Sequence, residues 1–153
     1  MKIYVDGDAC PVIGLIEKIA KEKRVTVVII CDEMHDIMSD YCQVIKVPCG
    51  RDAADLKIAV DVHKNDIVVT QDYGVAAMVL AKGAAVLTRS GFQITNKNID
   101  QLLFERHILR IERGKVRGCV RRNKGTRMKE SFRDRLSDLI DEINEKEMLC
   151  YGE

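Results

Sequence analysis

The chain has no tryptophan, only 5% aromatic residues and two prolines in 153 residues. No stretch approaches the roughly 18 consecutive apolar residues of a transmembrane helix, which excludes a helical membrane protein. No basic segment followed by an apolar one opens the chain, because Met1 leads directly into the strand-like Ile3-Tyr4-Val5. The expectation is a soluble, cytoplasmic protein. None of the six cysteines forms a C-x-x-C pair, and no Cys or His cluster has zinc-finger spacing. A secreted disulfide scaffold is excluded with it. Internal repeats and long linkers are also lacking, so the length points to one domain over residues 1–153, with a core to about residue 90 and an extension beyond.

A hydrophobic fraction of 46% is enough for a real core and too high for intrinsic disorder. The cysteines are expected to be reduced and mostly buried. Cys10 stands apart, since it falls at a strand-to-helix turn where a helix N-terminus can lower a thiol's pKa.

The net charge of +1 conceals an asymmetry. Residues 1–88 carry 10 Lys/Arg against 13 Asp/Glu, residues 89–135 carry 14 against 5, and residues 136–153 carry 1 against 6. The basic middle segment is either a solvated face or a site for a polyanion. Its positions Arg113, Lys115, Arg117, Arg121, Arg122, Lys124 and Arg127 lie around Gly114, Gly118 and Gly125. Few aromatics interleave them, so backbone contact by charge fits better there than base stacking. Arg106 and His107 precede them on a predicted helix.

Periodicity predicts strands at Lys2–Val5, Val25–Ile30, Val44–Val47, Ile67–Thr70 and Ala84–Leu87. Helices are predicted over Val12–Lys23, Ala53–His63, Gly74–Lys82, about Lys97–Leu109, and Met128–Met148, with Asp32–Asp40 as loop or short helix. The succession argues for a three-layer α/β fold with a mainly parallel sheet, Rossmann-like, carrying a C-terminal helical extension. The last helix offers an apolar stripe either to the sheet or to a second copy of the chain.

In such sheets ligands bind beyond the carboxyl ends of the strands. Asp6 and Asp8 follow the first strand, Asp52 and Asp55 come at the start of the second helix, just past the strand before it, and Asp72 follows the Ile67–Thr70 strand. Three loops thus bring five acids to one edge. Crowded carboxylates repel unless a cation sits among them, and all-oxygen ligands suit Mg²⁺ or Mn²⁺. A structural role is open to each: Asp8 and Asp72 as helix caps, Asp52 and Asp55 as an N-cap with an acidic N3. An acid ending a buried strand, as Asp6 does, is harder to account for structurally.

Ile3-Tyr4-Val5-Asp6-Gly7-Asp8-Ala9-Cys10-Pro11-Val12 resembles the D-x-D-A-C-P-V opening of the YaiI/YqxD family of bacterial proteins. Arg51-Asp52-Ala53-Ala54-Asp55, Val68-Val69-Thr70-Gln71-Asp72-Tyr73-Gly74 and the stretch from Asn98 to His107 resemble further motifs of that family, in order, over about residues 1–125. Gly7 stands where the family usually has Ala, read here as a mild change, and the stretch Arg121–Thr126 lacks a proline usual there. The resemblance implies a PIN-like domain, whose nuclease members hold Mg²⁺ or Mn²⁺ on clustered acids. It implies Asp6, Asp8, Asp55 and Asp72 as metal-binding catalytic acids, with Asp52 and Thr70 supporting them. The expected activity is metal-dependent phosphodiester hydrolysis of nucleic acid, RNA ahead of DNA. A binding module without catalysis is the first alternative. A haloacid-dehalogenase-like phosphatase with Asp6 as nucleophile is the second.

Overall fold

The computed structural model describes residues 1–50, 52–113 and 125–151. Six strands form one sheet: β1 (Lys2–Asp6), β2 (Thr26–Asp32), β3 (Gln43–Val47), β4 (Ile67–Val69), β5 (Ala85–Leu87) and β6 (Gln93–Ile94). Their order is β3-β2-β1-β4-β5-β6, and all pairings are parallel except β5 with β6. The helices are α1 (Ile13–Lys23), α2 (Ala53–Asp61), α3 (Tyr73–Ala81), α4 (Ile99–Arg113) and α5 (Gly125–Tyr151), and a short 3-10 turn covers Gly7–Ala9.

The β-branched runs explain the layers. Successive side chains of a strand point to opposite faces, and in a sheet covered on both sides both sets are apolar. Ile3, Val5, Val27, Ile29, Ile67, Val69 and Leu87 pack with α1 and with Phe132, Leu136 and Ile140 of α5. Tyr4, Val28, Ile30, Val68 and Val86 face the other way, against Ala54 and Ile58 of α2 and Val75, Ala76 and Val79 of α3. The three-layer expectation is met, and the C-terminal helix is core: Phe132, Leu136 and Ile140 are fully buried. Close approach at the β5–β6 turn seats that helix. Gly91 has φ +82°, and a Cβ there would come within 2.9 Å of the Phe132 backbone.

One buried acid in the core is accounted for by backbone. Asp66, 5% exposed, accepts N–H bonds from Lys2 at 2.7 Å and His63 at 2.9 Å, tying the start of β1 to the start of β4.

Several boundaries shift for local reasons. β6 is absent from the periodicity because two residues carry no period. α4 begins at Ile99 rather than Lys97, since the Asn98 side chain accepts the Thr95 N–H and donates to the Gln93 carbonyl. The Asp32–Asp40 stretch, expected as loop or short helix, ends β2 at Asp32 and then carries no helix. Gly7 is also less replaceable than its small size suggests. A Cβ there would lie 2.9 Å from both Ile29 Cγ2 and Ile37 Cδ1, so Ala is no mild change in this chain.

Candidate metal centre

The chain runs outward from β1 to β2 and β3, then crosses back to β4 on the other side of β1. That reversal opens a crevice beyond the carboxyl ends of β1 and β4, where ligands bind in doubly wound sheets. Asp6 ends β1, Asp8 lies in the 3-10 turn that follows, Asp72 begins the turn into α3, and Asp55 sits in the first turn of α2.

The four act on one another electrostatically, although among the described residues only Asp8, Asp32 and His35 bring three ligand atoms within 4.8 Å of one another. Partial burial, then the charges of Asp55, Asp8 and Asp72, push the Asp6 carboxyl up to about 6, against one backbone N–H bond from Asp8 that lowers it. Asp55 is raised as well, by burial first and then by Asp72, Asp52 and Asp8. Among the described residues neither Asp6 nor Asp55 has an ion-pair partner. A cluster of this kind carries unbalanced negative charge, and its all-carboxylate donor set fits a hard divalent cation.

Each acid is held differently. Asp72 is the cap that its position suggested: Oδ1 accepts from Gly74 N at 2.6 Å and Val75 N at 3.1 Å. Its Oδ2 lies 3.8 Å from the Arg106 guanidinium, too long for a hydrogen bond. Thr70, 2% exposed, accepts the Asp72 N–H at 3.0 Å and so orients that turn. Asp8 does not cap α1, whose N-cap is Val12; its carboxylate accepts the Asp32 N–H at 3.0 Å instead. Asp52 is the N-cap of α2 in the left-handed region, φ +64°, without a capping bond from its side chain among the described residues. The capping box suggested by the Asp52/Asp55 spacing is therefore not made.

Three residues near this edge gave no signal in the sequence. His35 Nδ1 lies 2.7 Å from Asp32 Oδ1 and 3.1 Å from Asp8 Oδ1, and the three side chains could share one metal ion. The hydrogen bond to Asp32, with the charges of Asp32, Asp8 and Asp6, raises the His35 pKa, and the same bond lowers that of Asp32. Asp32 ends β2 and His35 lies in the aperiodic segment that follows, so only the pairing of β1 with β2 brings them to Asp8. Arg89, just past β5, lines a small cleft with Asp6, Cys10 and Thr70. Cys10 has the setting of an ordinary buried thiol: burial raises its pKa, outweighing the backbone bond to Val12.

Of the basic residues, Arg106 faces the acids, whereas His107 lies exposed on α4. The side chains of Arg113 and Arg127, and all of Lys115, Arg117, Arg121, Arg122 and Lys124, lie outside the described residues. No helix among the described residues is long and apolar enough to cross a membrane.

Comparison with known proteins identifies the family. The chain is 52% identical to a UPF0178 protein of Lachnoclostridium phytofermentans over 113 residues, 74% of this chain and 76% of that one. It is 44% identical to a UPF0178 protein of Clostridium acetobutylicum over 136 residues, 88% of this chain and 89% of that one. A UPF0178 protein of Ruminiclostridium cellulolyticum is 51% identical over 71% of each chain. No solved structure matches. The family model described as "Uncharacterized BCR, YaiI/YqxD family" matches residues 4–142, a span that holds Asp6, Asp8, Asp55 and Asp72 together with the whole sheet from Tyr4 onward. With most of its length matched in this way, the chain belongs to the YaiI/YqxD family, whose curated members carry the name UPF0178.

Proposed function

We propose that this protein is a divalent-metal-dependent phosphodiesterase acting on nucleic acid, RNA ahead of DNA. The observation that carries the reading is the delivery of Asp6, Asp8, Asp55 and Asp72 to the switch point by the end of β1, the turn after it and the starts of α2 and α3, within electrostatic reach of one another. A structural set of caps accounts for Asp72 alone.

Asp6, Asp8, Asp55 and Asp72 would hold Mg²⁺ or Mn²⁺. Such an ion, when bound, supplies charge stabilisation for a phosphodiester under attack and lowers the pKa of a coordinated water. The chain's own residues do the positioning. Thr70 fixes the Asp72 turn, His35 and the Asp32 N–H hold the Asp8 carboxylate, and Arg106 stands beside Asp72 as a cation for a substrate phosphate. The basic segment between α4 and α5 would add sequence-independent attraction for a polyanion.

The test joins calorimetry to turnover. Titration of Mn²⁺ into the apo protein should show micromolar binding that is lost in Asp6→Asn and in Asp72→Asn. Labelled RNA should then be cleaved by the wild type, with cleavage abolished by EDTA and by Asp55→Asn. Full activity in Asp72→Asn would sink the assignment. Salt-dependent RNA binding that ignores EDTA, with no turnover, would put a binding module in its place. A covalent aspartyl-phosphate on Asp6 would point to the phosphatase.

A further inference from the structure

Beside the acids lies a groove of about 470 Å³, within the size range of small-ligand sites. One wall is the turn after β4, with Gln71 and the ring of Tyr73; the other is a face of α4, with Leu102, Glu105, Arg106 and Arg110. Arg106 joins groove and acids. Its guanidinium is 3.8 Å from Asp72 Oδ2 and lies over the Tyr73 ring, 5.6 Å from the ring centre.

The composition is that of a nucleotide site. Arg106 and Arg110 stand four residues apart, hence on one face of the helix, and offer two guanidinium groups to phosphate. The Arg106 plane, held over the Tyr73 ring, makes with it a flat surface of the kind on which unpaired bases stack. Gln71 and Glu105, the latter accepting from the Gln101 amide at 2.8 Å, add an amide and a carboxylate to the lining, groups of the kind that pair with base edges. A base inside a duplex is already stacked and paired, so its face cannot reach such a wall without being extruded.

We propose that this groove is a subsite for one unpaired nucleotide next to the phosphodiester held at the acids, so that the substrate is single-stranded nucleic acid. It rests on the phosphodiesterase reading for the neighbouring phosphate. It goes beyond that reading by giving the strandedness of the substrate and the residues that select it. The aromatic surface missing from the basic segment is supplied from another element, the first residue of α3.

The experiment is fluorescence anisotropy on the full chain with a labelled ten-nucleotide single-stranded RNA and a duplex of the same composition, in EDTA and in Ca²⁺. The wild type should prefer the single strand. Tyr73→Ala and Arg110→Gln should each weaken single-strand binding about tenfold or more, with duplex binding and calorimetric Mn²⁺ affinity unchanged. Tyr73→Phe, which keeps the ring, should bind as the wild type does. Undiminished single-strand affinity in both variants, equal losses for duplex and single strand, or a Tyr73→Phe as weak as Tyr73→Ala would overturn the proposal. So would no RNA binding by the wild type under either condition. The two readings fail separately. Specific binding losses without cleavage by the wild type would leave the groove and remove the hydrolase, whereas Mn²⁺-dependent cleavage with unaltered binding in the variants would do the reverse.

Discussion

The imidazole of His35 stands 3.1 Å from the carboxylate of Asp8, although one follows β2 and the other follows β1. β1 and β2 are parallel neighbours, with Asp6 in register with Ile30, so their carboxyl ends open at the same level. The same Nδ1 is 2.7 Å from Asp32, and the Asp32 N–H bonds back to Asp8. An aperiodic segment is thereby stitched to the first acidic turn. His35 and the Asp32 N–H together fix the direction of Asp8.

Replacing His35 tests that role. Outer partners of metal ligands typically cost 10–100-fold in affinity when removed. His35→Gln should weaken Mn²⁺ binding about tenfold by calorimetry. The His35 pKa is raised in the folded protein, so its contribution to stability is full below about 6.5 and is lost as pH rises through the raised value. Thermal melts should show the variant less stable than wild type at pH 5.5 and equal to it at pH 9.

Asp6 has the opposite consequence for its variant. Its pKa is raised from 3.8 to about 6, so the folded state is favoured below about 4 and loses stability as pH rises through 6. Discounted for partial solvent exposure, the penalty above pH 7 is on the order of 1 kcal/mol. Asp6→Asn escapes it. Its melting temperature should exceed that of wild type by roughly 3 °C at pH 8 in EDTA and match it near pH 4. Added Mn²⁺ should stabilise the wild type and leave the variant unmoved.

Asp72 combines a cap with a candidate ligand, and two substitutions separate them. Asp72→Ala removes the bonds to Gly74 N and Val75 N and should cost about 1 kcal/mol in urea unfolding. Asp72→Asn keeps an acceptor oxygen for the cap, so it should unfold close to wild type. Both should lose Mn²⁺ binding. Metal binding retained in Asn and lost in Ala would assign Asp72 to the cap alone.

Gly7→Ala should destabilise by about 1–3 kcal/mol, the usual cost of an overpacked core. The collision lies partly with the end of Ile37, 2.9 Å away. Adding Ile37→Val removes that methyl and should restore part of the loss, a coupling visible in a double-mutant cycle by urea denaturation.

Phe132→Ala measures how far α5 belongs to the core. The side chain is fully buried against the sheet face formed by Ile3, Val5 and Ile29. A loss of about 3–5 kcal/mol is expected from the vacated volume. A change under 1 kcal/mol would make α5 a loosely attached extension.

The sequence by itself determined the longer elements and the acids. Runs such as Val27–Ile30 and Ile67–Val69 are apolar at every position because both faces of their strands are covered, and that pattern predicts a buried parallel sheet without further information. Asp6, Asp8, Asp55 and Asp72 were legible because each sits at a strand-to-helix turn, a position the chain order alone supplies. What only the tertiary structure decided is which turns meet. Strand order is set by long-range pairing, and nothing local to β4 records that it lies beside β1 rather than β3. His35, Arg89 and Tyr73 reach the crevice through that pairing and through the packing of α4 against α3. Asp8 likewise faces His35 rather than capping α1, because the bond it makes crosses between two strands and leaves no mark on the spacing of either.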